Sequence, residues 1–170
     1  MANNDAYLQL GNSISLAAAI LILAVLAELV LNGLKAIYLP WVLSVMWILW
    51  IMGIAAYVSY VSAELRVRQL MVYTVPLALA ITLVGLILLT EHKFLGAELV
   101  VLGYFLEPIA GVSLYLRLLS INGPAAHAFF WGAFLFTVGL PLILIKDAYV
   151  SLIGDLIKMI GLMLLILRSK

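Results

Sequence analysis

Six apolar runs, each long enough to cross a bilayer as a helix, fill the sequence almost from end to end. Crossing roughly 30 Å of hydrocarbon takes about 20 helical residues. The runs fall near 14–37, 41–63, 70–90, 95–119, 125–145 and 148–167. Between them stand the breaks that a spanning chain needs: Pro40, Glu64 to Arg68, Glu91-His92-Lys93, Asn122-Gly123-Pro124 and Lys146-Asp147. Apolar residues occupy odd and even positions alike in every run, which excludes the alternating strands of a barrel. Composition agrees, with 67% hydrophobic and 10% charged residues and a mean hydropathy of +1.26. Soluble domains carry about a quarter charged residues. The expected fold is therefore all-α: a polytopic membrane protein, a bundle of six transmembrane helices with short loops and no soluble domain, forming one domain over 1–170.

The charges exclude several functions. Nine Lys plus Arg against eight Asp plus Glu leave a net charge of +1 with no basic cluster, so nucleic acid is not an expected partner. Membrane lipids and other membrane subunits are. The chain has no cysteine, which removes disulfides, thiolate metal sites and iron–sulfur clusters. Its two histidines, His92 and His127, lie at opposite faces of a six-span chain and cannot share a metal or haem. No nucleophile with a base, no metal-ligand set and no phosphate-binding loop stands in the sequence. Gly154-Asp155 resembles the Gly-Asp element of intramembrane aspartyl proteases, but its flanks are incomplete and no second matching aspartate lies in another span. No catalytic, cofactor-binding or metal residue is assigned, and no cofactor is expected.

Six spans place both termini on one face with the loops after spans two and four. Arg66, Arg68, Arg117, Arg168 and Lys170 lie there, against Lys35, Lys93 and Lys146 opposite. That excess expects cytoplasmic termini, and short loops without cysteine suit a prokaryotic plasma membrane. The first run has no basic leading segment and exceeds a signal-peptide core, so it is read as a retained span. The similar segments Ala27 to Gly33 and Ala97 to Gly103 are read as coincidence, because Glu28 lies deep in its span and Glu98 within a turn of its start.

Ionisable groups inside hydrocarbon cost several kcal/mol unless paired, protonated or hydrated, which makes them candidates for function. Counting about 1.5 Å per residue from the face they share, Glu28, Asp155, Lys158 and Glu107 lie very roughly 14, 11, 15 and 18 Å deep. With Asn32, one turn beyond Glu28, they form the expected intramembrane polar cluster. Gly103 and Gly111 flank Glu107, and Gly154 and Gly161 flank Lys158. Glycines let helices approach closely, so spans four and six are expected to pack together and pair Glu107 with Lys158. Pro108 should kink span four beside the carboxylate by removing a backbone donor. A second stripe, Trp47, Trp50, Tyr57 and Tyr60, runs along span two and is a candidate lipid or quinone groove.

Two functions fit these residues. The first is a non-catalytic integral subunit of a larger membrane complex, respiratory or otherwise energy-transducing, whose partners supply cations to the surplus carboxyls. The second is a small transporter or channel subunit that uses those carboxyls for proton or ion handling.

Overall fold

The computed structural model describes residues 2–145 and 147–168. It is 88% helix, has no strand among the described residues, and contains six helices long and apolar enough to span a membrane. Helix α1 (Ala2–Asn32) leads through a 3₁₀ segment (Gly33–Tyr38) into α2 (Pro40–Ser62) and α3 (Arg68–Thr90). The fourth span consists of two pieces, α4 (Leu95–Tyr104) and α5 (Glu107–Leu118). Helices α6 (Gly123–Ile143) and α7 (Tyr149–Arg168) complete the chain. Lys146 and Lys170, counted above in the charge asymmetry, lie outside the described residues, as does the side chain of Arg168.

Local chemistry explains the ends. Helix α1 begins well before residue 14, because an apolar run marks where hydrocarbon starts while Asn3, Asn4 and Asp5 contain no helix breaker. Asp5 in the first turn also suits the positive end of a helix. At the other end Gly33 takes φ +67°, a left-handed conformation that only glycine adopts cheaply. The first span is thus α-helical only to Asn32 and continues as 3₁₀ helix to Tyr38. Pro40 then opens α2, where its missing N–H costs nothing. Asn122 caps α6 by accepting from the Ala125 N–H at 3.4 Å, and the Asp147 carboxylate accepts from the Tyr149 N–H at 3.0 Å.

The expected kink in span four is a local interruption at Phe105 and Leu106, whose backbone angles stay helical. Pro108 has no N–H for the Tyr104 carbonyl, so α4 stops at Tyr104, a 3₁₀-type bond joins Leu106 N–H to Gly103 O at 3.1 Å, and α5 restarts at Glu107.

The helices form a ring. Each packs mainly on its sequence neighbours, α3 touches both halves of span four, and α7 returns to α1. Two apolar cores close the ring at its ends. One gathers Val42, Leu89, Val100 and Leu140, and the other gathers Leu8, Met71, Leu118 and Leu162. Tyr38 and His92 meet at one end, ring centroids 5.4 Å apart. At the other, Arg117 bridges to Asp5 at 2.9 Å and the Tyr115 hydroxyl meets His127 Nδ1 at 2.9 Å. The two histidines therefore stand at opposite ends.

The tightest contact joins α6 and α7. A Cβ added at Gly132 would collide with the backbone nitrogen of Lys158, one at Gly139 with that of Ser151, one at Gly154 with that of Phe136, and one at Gly161 with that of Phe129. These pairs keep one antiparallel register along the whole contact. The expected packing of span four on span six is overturned: Gly154 and Gly161 receive α6, while Gly103 receives Thr82 of α3. The reason is reciprocity, since two backbones meet closely only where small residues face each other from both sides. Gly132 and Gly139, seven residues apart, match Gly154 and Gly161, also seven apart.

Candidate functional site

Between the two apolar cores lies a cavity of about 240 Å³, to which every helix of the ring contributes. Its wall is mostly apolar, with Ser15 and Thr82 among its few polar residues and, among the described residues, Glu107, Lys158, Tyr57, Tyr60 and Tyr104 as its ionisable ones. A smaller cavity of about 100 Å³ adjoins it, and Ile22, Met46, Leu49, Val100 and Tyr104 line both.

The charged groups are arranged unequally. Lys158 Nζ lies 2.7 Å from Asp155 Oδ1, one turn away on the same helix. Asp155 is 0% exposed and Lys158 4%. The contact is ionic, because neither carboxylate oxygen has a well-directed hydrogen bond. The ammonium also stands 4.5 Å from the centre of the Phe136 ring, a cation–π contact that adds to its stabilisation. The expected Glu107–Lys158 pair is not formed. Asp155 meets Lys158 within one helix turn, whereas α5 and α7 face each other across free volume. Among the described residues Glu107 has no ion pair and no side-chain hydrogen bond.

Glu107 is held where the chain breaks. It is the first residue of α5, directly after the interruption of the helix at Phe105 and Leu106. Pro108 leaves the Tyr104 carbonyl without its helical donor one turn earlier. A discontinuous helix that brings a helix terminus and free backbone groups to mid-membrane is a recurrent way of building a binding site there.

The other expected cluster residues lie elsewhere. Glu28 accepts a hydrogen bond from the Asn32 side-chain amide within α1, and neither residue lines either cavity. The layer inferred from depth thus divides: Glu107, Lys158 and Asp155 converge, while Glu28 and Asn32 stand apart. Depth along a helix axis says nothing about direction around it. Three of the four span-two aromatics do face the cavity. Trp50 lines it with its indole N–H donated to Leu79 O at 3.0 Å, Tyr60 with its hydroxyl donated to Asn12 Oδ1 at 3.1 Å, and Tyr57 lines it too. Trp47 does not; its N–H reaches Thr90 Oγ1 at 3.4 Å.

The sequence reading gives the side chains of Tyr104 and Phe136 no site role. Tyr104 lies three residues before Glu107, which is a legible signal, since that spacing brings both to one side of the turn that links α4 to α5. Phe136 sits opposite Gly154 and carries the cation–π contact, a role no local pattern marks. Among the described residues no three His, Asp or Glu side chains converge.

Comparison with protein-family models, curated proteins and solved structures finds no match to this chain. The fold alone defines its class, an all-helical chain of membrane-spanning character. Within that class its particular features are the central cavity and the broken fourth span.

Proposed function

We propose that the chain is a small membrane carrier, or the carrier subunit of a larger assembly, that holds a small and largely apolar molecule in its central cavity with Glu107 as the ionisable contact. One observation carries this reading: a carboxyl without an ion pair, at the interruption of span four, fronts free volume in the middle of the ring. Polar groups that only fix helix register are paired with one another, as Lys158 is with Asp155. A carboxyl beside space for a ligand has no such purpose.

Native mass spectrometry of the chain extracted in mild detergent tests the reading. The expected result is a small molecule bound one per chain and absent from the cavity-filling variant Gly53→Phe. An empty chain that also fails to bind the apolar fluorophore 1-aminoanthracene would overturn it.

A second reading, a non-catalytic subunit of a membrane complex, is favoured by Glu28. Its hydrogen bond is to Asn32 of its own helix, and among the described residues no cation pairs with it. A partner chain could supply that cation. Stoichiometric unrelated subunits in the same spectra, lost from Glu28→Gln, would support it. The proposed setting is a prokaryotic plasma membrane, on the short loops without cysteine, with cytoplasmic termini, on the count of basic residues given above.

A further inference from the structure

We infer that the central cavity takes a lipophilic organic cation, held by the Glu107 carboxylate against the rings of Trp50, Tyr57, Tyr60 and Tyr104. This inference rests on the carrier reading and names its ligand class.

The argument is one of unspent groups. Lys158 already has Asp155 at 2.7 Å and Phe136 beneath it, so its charge is matched. The Trp50 N–H is given to Leu79 O, the Tyr60 hydroxyl to Asn12 Oδ1, and the Thr82 hydroxyl to Ala78 O at 2.8 Å. The neutral donors that could hold an anion are therefore committed, apart from the Tyr57 and Tyr104 hydroxyls, which accept as readily as they donate. The Lys158 ammonium, although it lines the cavity, has its charge balanced by Asp155. The group left without a partner is Glu107, whose ionised form can only accept. Counted together, Glu107, Asp155 and Lys158 carry one negative charge in excess when ionised.

The rest of the wall selects the kind of cation. A hard metal ion takes about six or more oxygen ligands, and this wall is mostly apolar. Aromatic faces attract positive charge when desolvated, and the wall presents four rings besides Phe129. Two are fixed in orientation by the hydrogen bonds just named, and Tyr104 by an edge contact with Phe136, 5.6 Å between centroids. Rings held in place lose little entropy when they receive a ligand. A carboxylate within an aromatic and aliphatic wall suits an alkylated or aryl-substituted ammonium. The charges balance if Glu107 gives up one proton to solvent for each cation that arrives.

Equilibrium dialysis of the full chain in lipid nanodiscs, corrected with empty nanodiscs, tests this with three probes of similar size. These are benzyltrimethylammonium, its neutral isostere neopentylbenzene, and the anion 4-phenylbutyrate. The cation is expected to bind saturably, one per chain, and more tightly as pH rises, because proton and cation compete for one carboxylate. The titratable groups facing Glu107 are Lys158 of α7, with Asp155 behind it, Tyr104 of α4, and Tyr57 and Tyr60 of α2; α1, α3 and α6 present none to the cavity. Glu107→Gln should weaken binding at least tenfold and abolish its pH dependence. Tyr57→Leu should weaken it several-fold, and Glu98→Gln, which removes an exposed carboxyl outside the cavity, should leave it unchanged.

Preference for the neutral or anionic probe, or a pH dependence that survives Glu107→Gln, would overturn the cation assignment and leave the carrier reading standing. Saturable binding of none of the three would overturn both. If Glu107→Gln does not elute as a folded species, the parent's pH dependence and Tyr57→Leu decide the matter.

Discussion

Across α6 and α7 four glycines bring two backbones together until no added methyl group would fit, whereas across the ring α4 and α5 leave a gap that no side chain fills. Both regions hold ionisable groups at mid-membrane. On the packed side the charges are neutralised locally, Lys158 by Asp155 one turn away. On the open side Glu107 is left without a partner. The difference teaches that tight packing and charge pairing go together in a low-dielectric interior, and that a charge left unpaired marks where the chain departs from the optimum for stability alone.

The comparison can be broken most forcefully at Asp155. Asp155→Leu strands the buried Lys158 ammonium and should cost about 3–5 kcal/mol, seen as a large fall in melting temperature by circular dichroism in detergent. Adding Lys158→Met should restore most of that loss, and a double variant no better than the single one would show that the pair does not hold the hairpin. Gly154→Leu comes next, since its side chain would collide with the Phe136 backbone. A cost of about 3 kcal/mol is expected in the same melts, and a melting temperature equal to the parent's would contradict the α6–α7 contact. Double-variant cycles sharpen the contrast further. Asp155 and Lys158 should couple by about 2 kcal/mol and Glu107 and Lys158 by less than about 1 kcal/mol. Equal couplings would mean that Lys158 serves both carboxyls. Pro108→Ala gives the Tyr104 carbonyl its donor back. Amide exchange across 104–108 should slow while stability changes by less than about 1 kcal/mol. The smallest effect belongs to Gly111→Ala, whose new methyl group would lie 3.9 Å from the Phe130 ring and should alter stability by no more than about 0.5 kcal/mol.

These contrasts follow the limit of what could be foreseen. The six spans were legible because hydrophobic length is a property of one segment at a time. The break beside Glu107 was legible because Pro108 acts on the backbone four residues earlier. Which helices meet was not, since it depends on two segments at once: Gly154 and Gly161 show that a helix can be approached, and only the equal spacing of Gly132 and Gly139 shows by which partner. The candidate site was half legible. Trp50, Tyr57, Tyr60, Glu107 and Lys158 do share one cavity, whereas Glu28, Asn32 and Trp47 have suitable chemistry but lie away from it. Depth can be counted along a sequence, and azimuth is set only when the ring closes.

Glu107 stands half-way along the 24-residue fourth span, and that position has an electrical consequence. A unit charge carried across a whole membrane exchanges about 2.3 kcal/mol with each 100 mV of potential. A charge that stops at Glu107 has traversed about half of the field and exchanges about half of that energy, whichever side it came from. Under the cation proposal, a proton or cation arriving at the carboxylate would move current through part of the voltage, and the membrane potential itself would help to set how full the middle of the ring is.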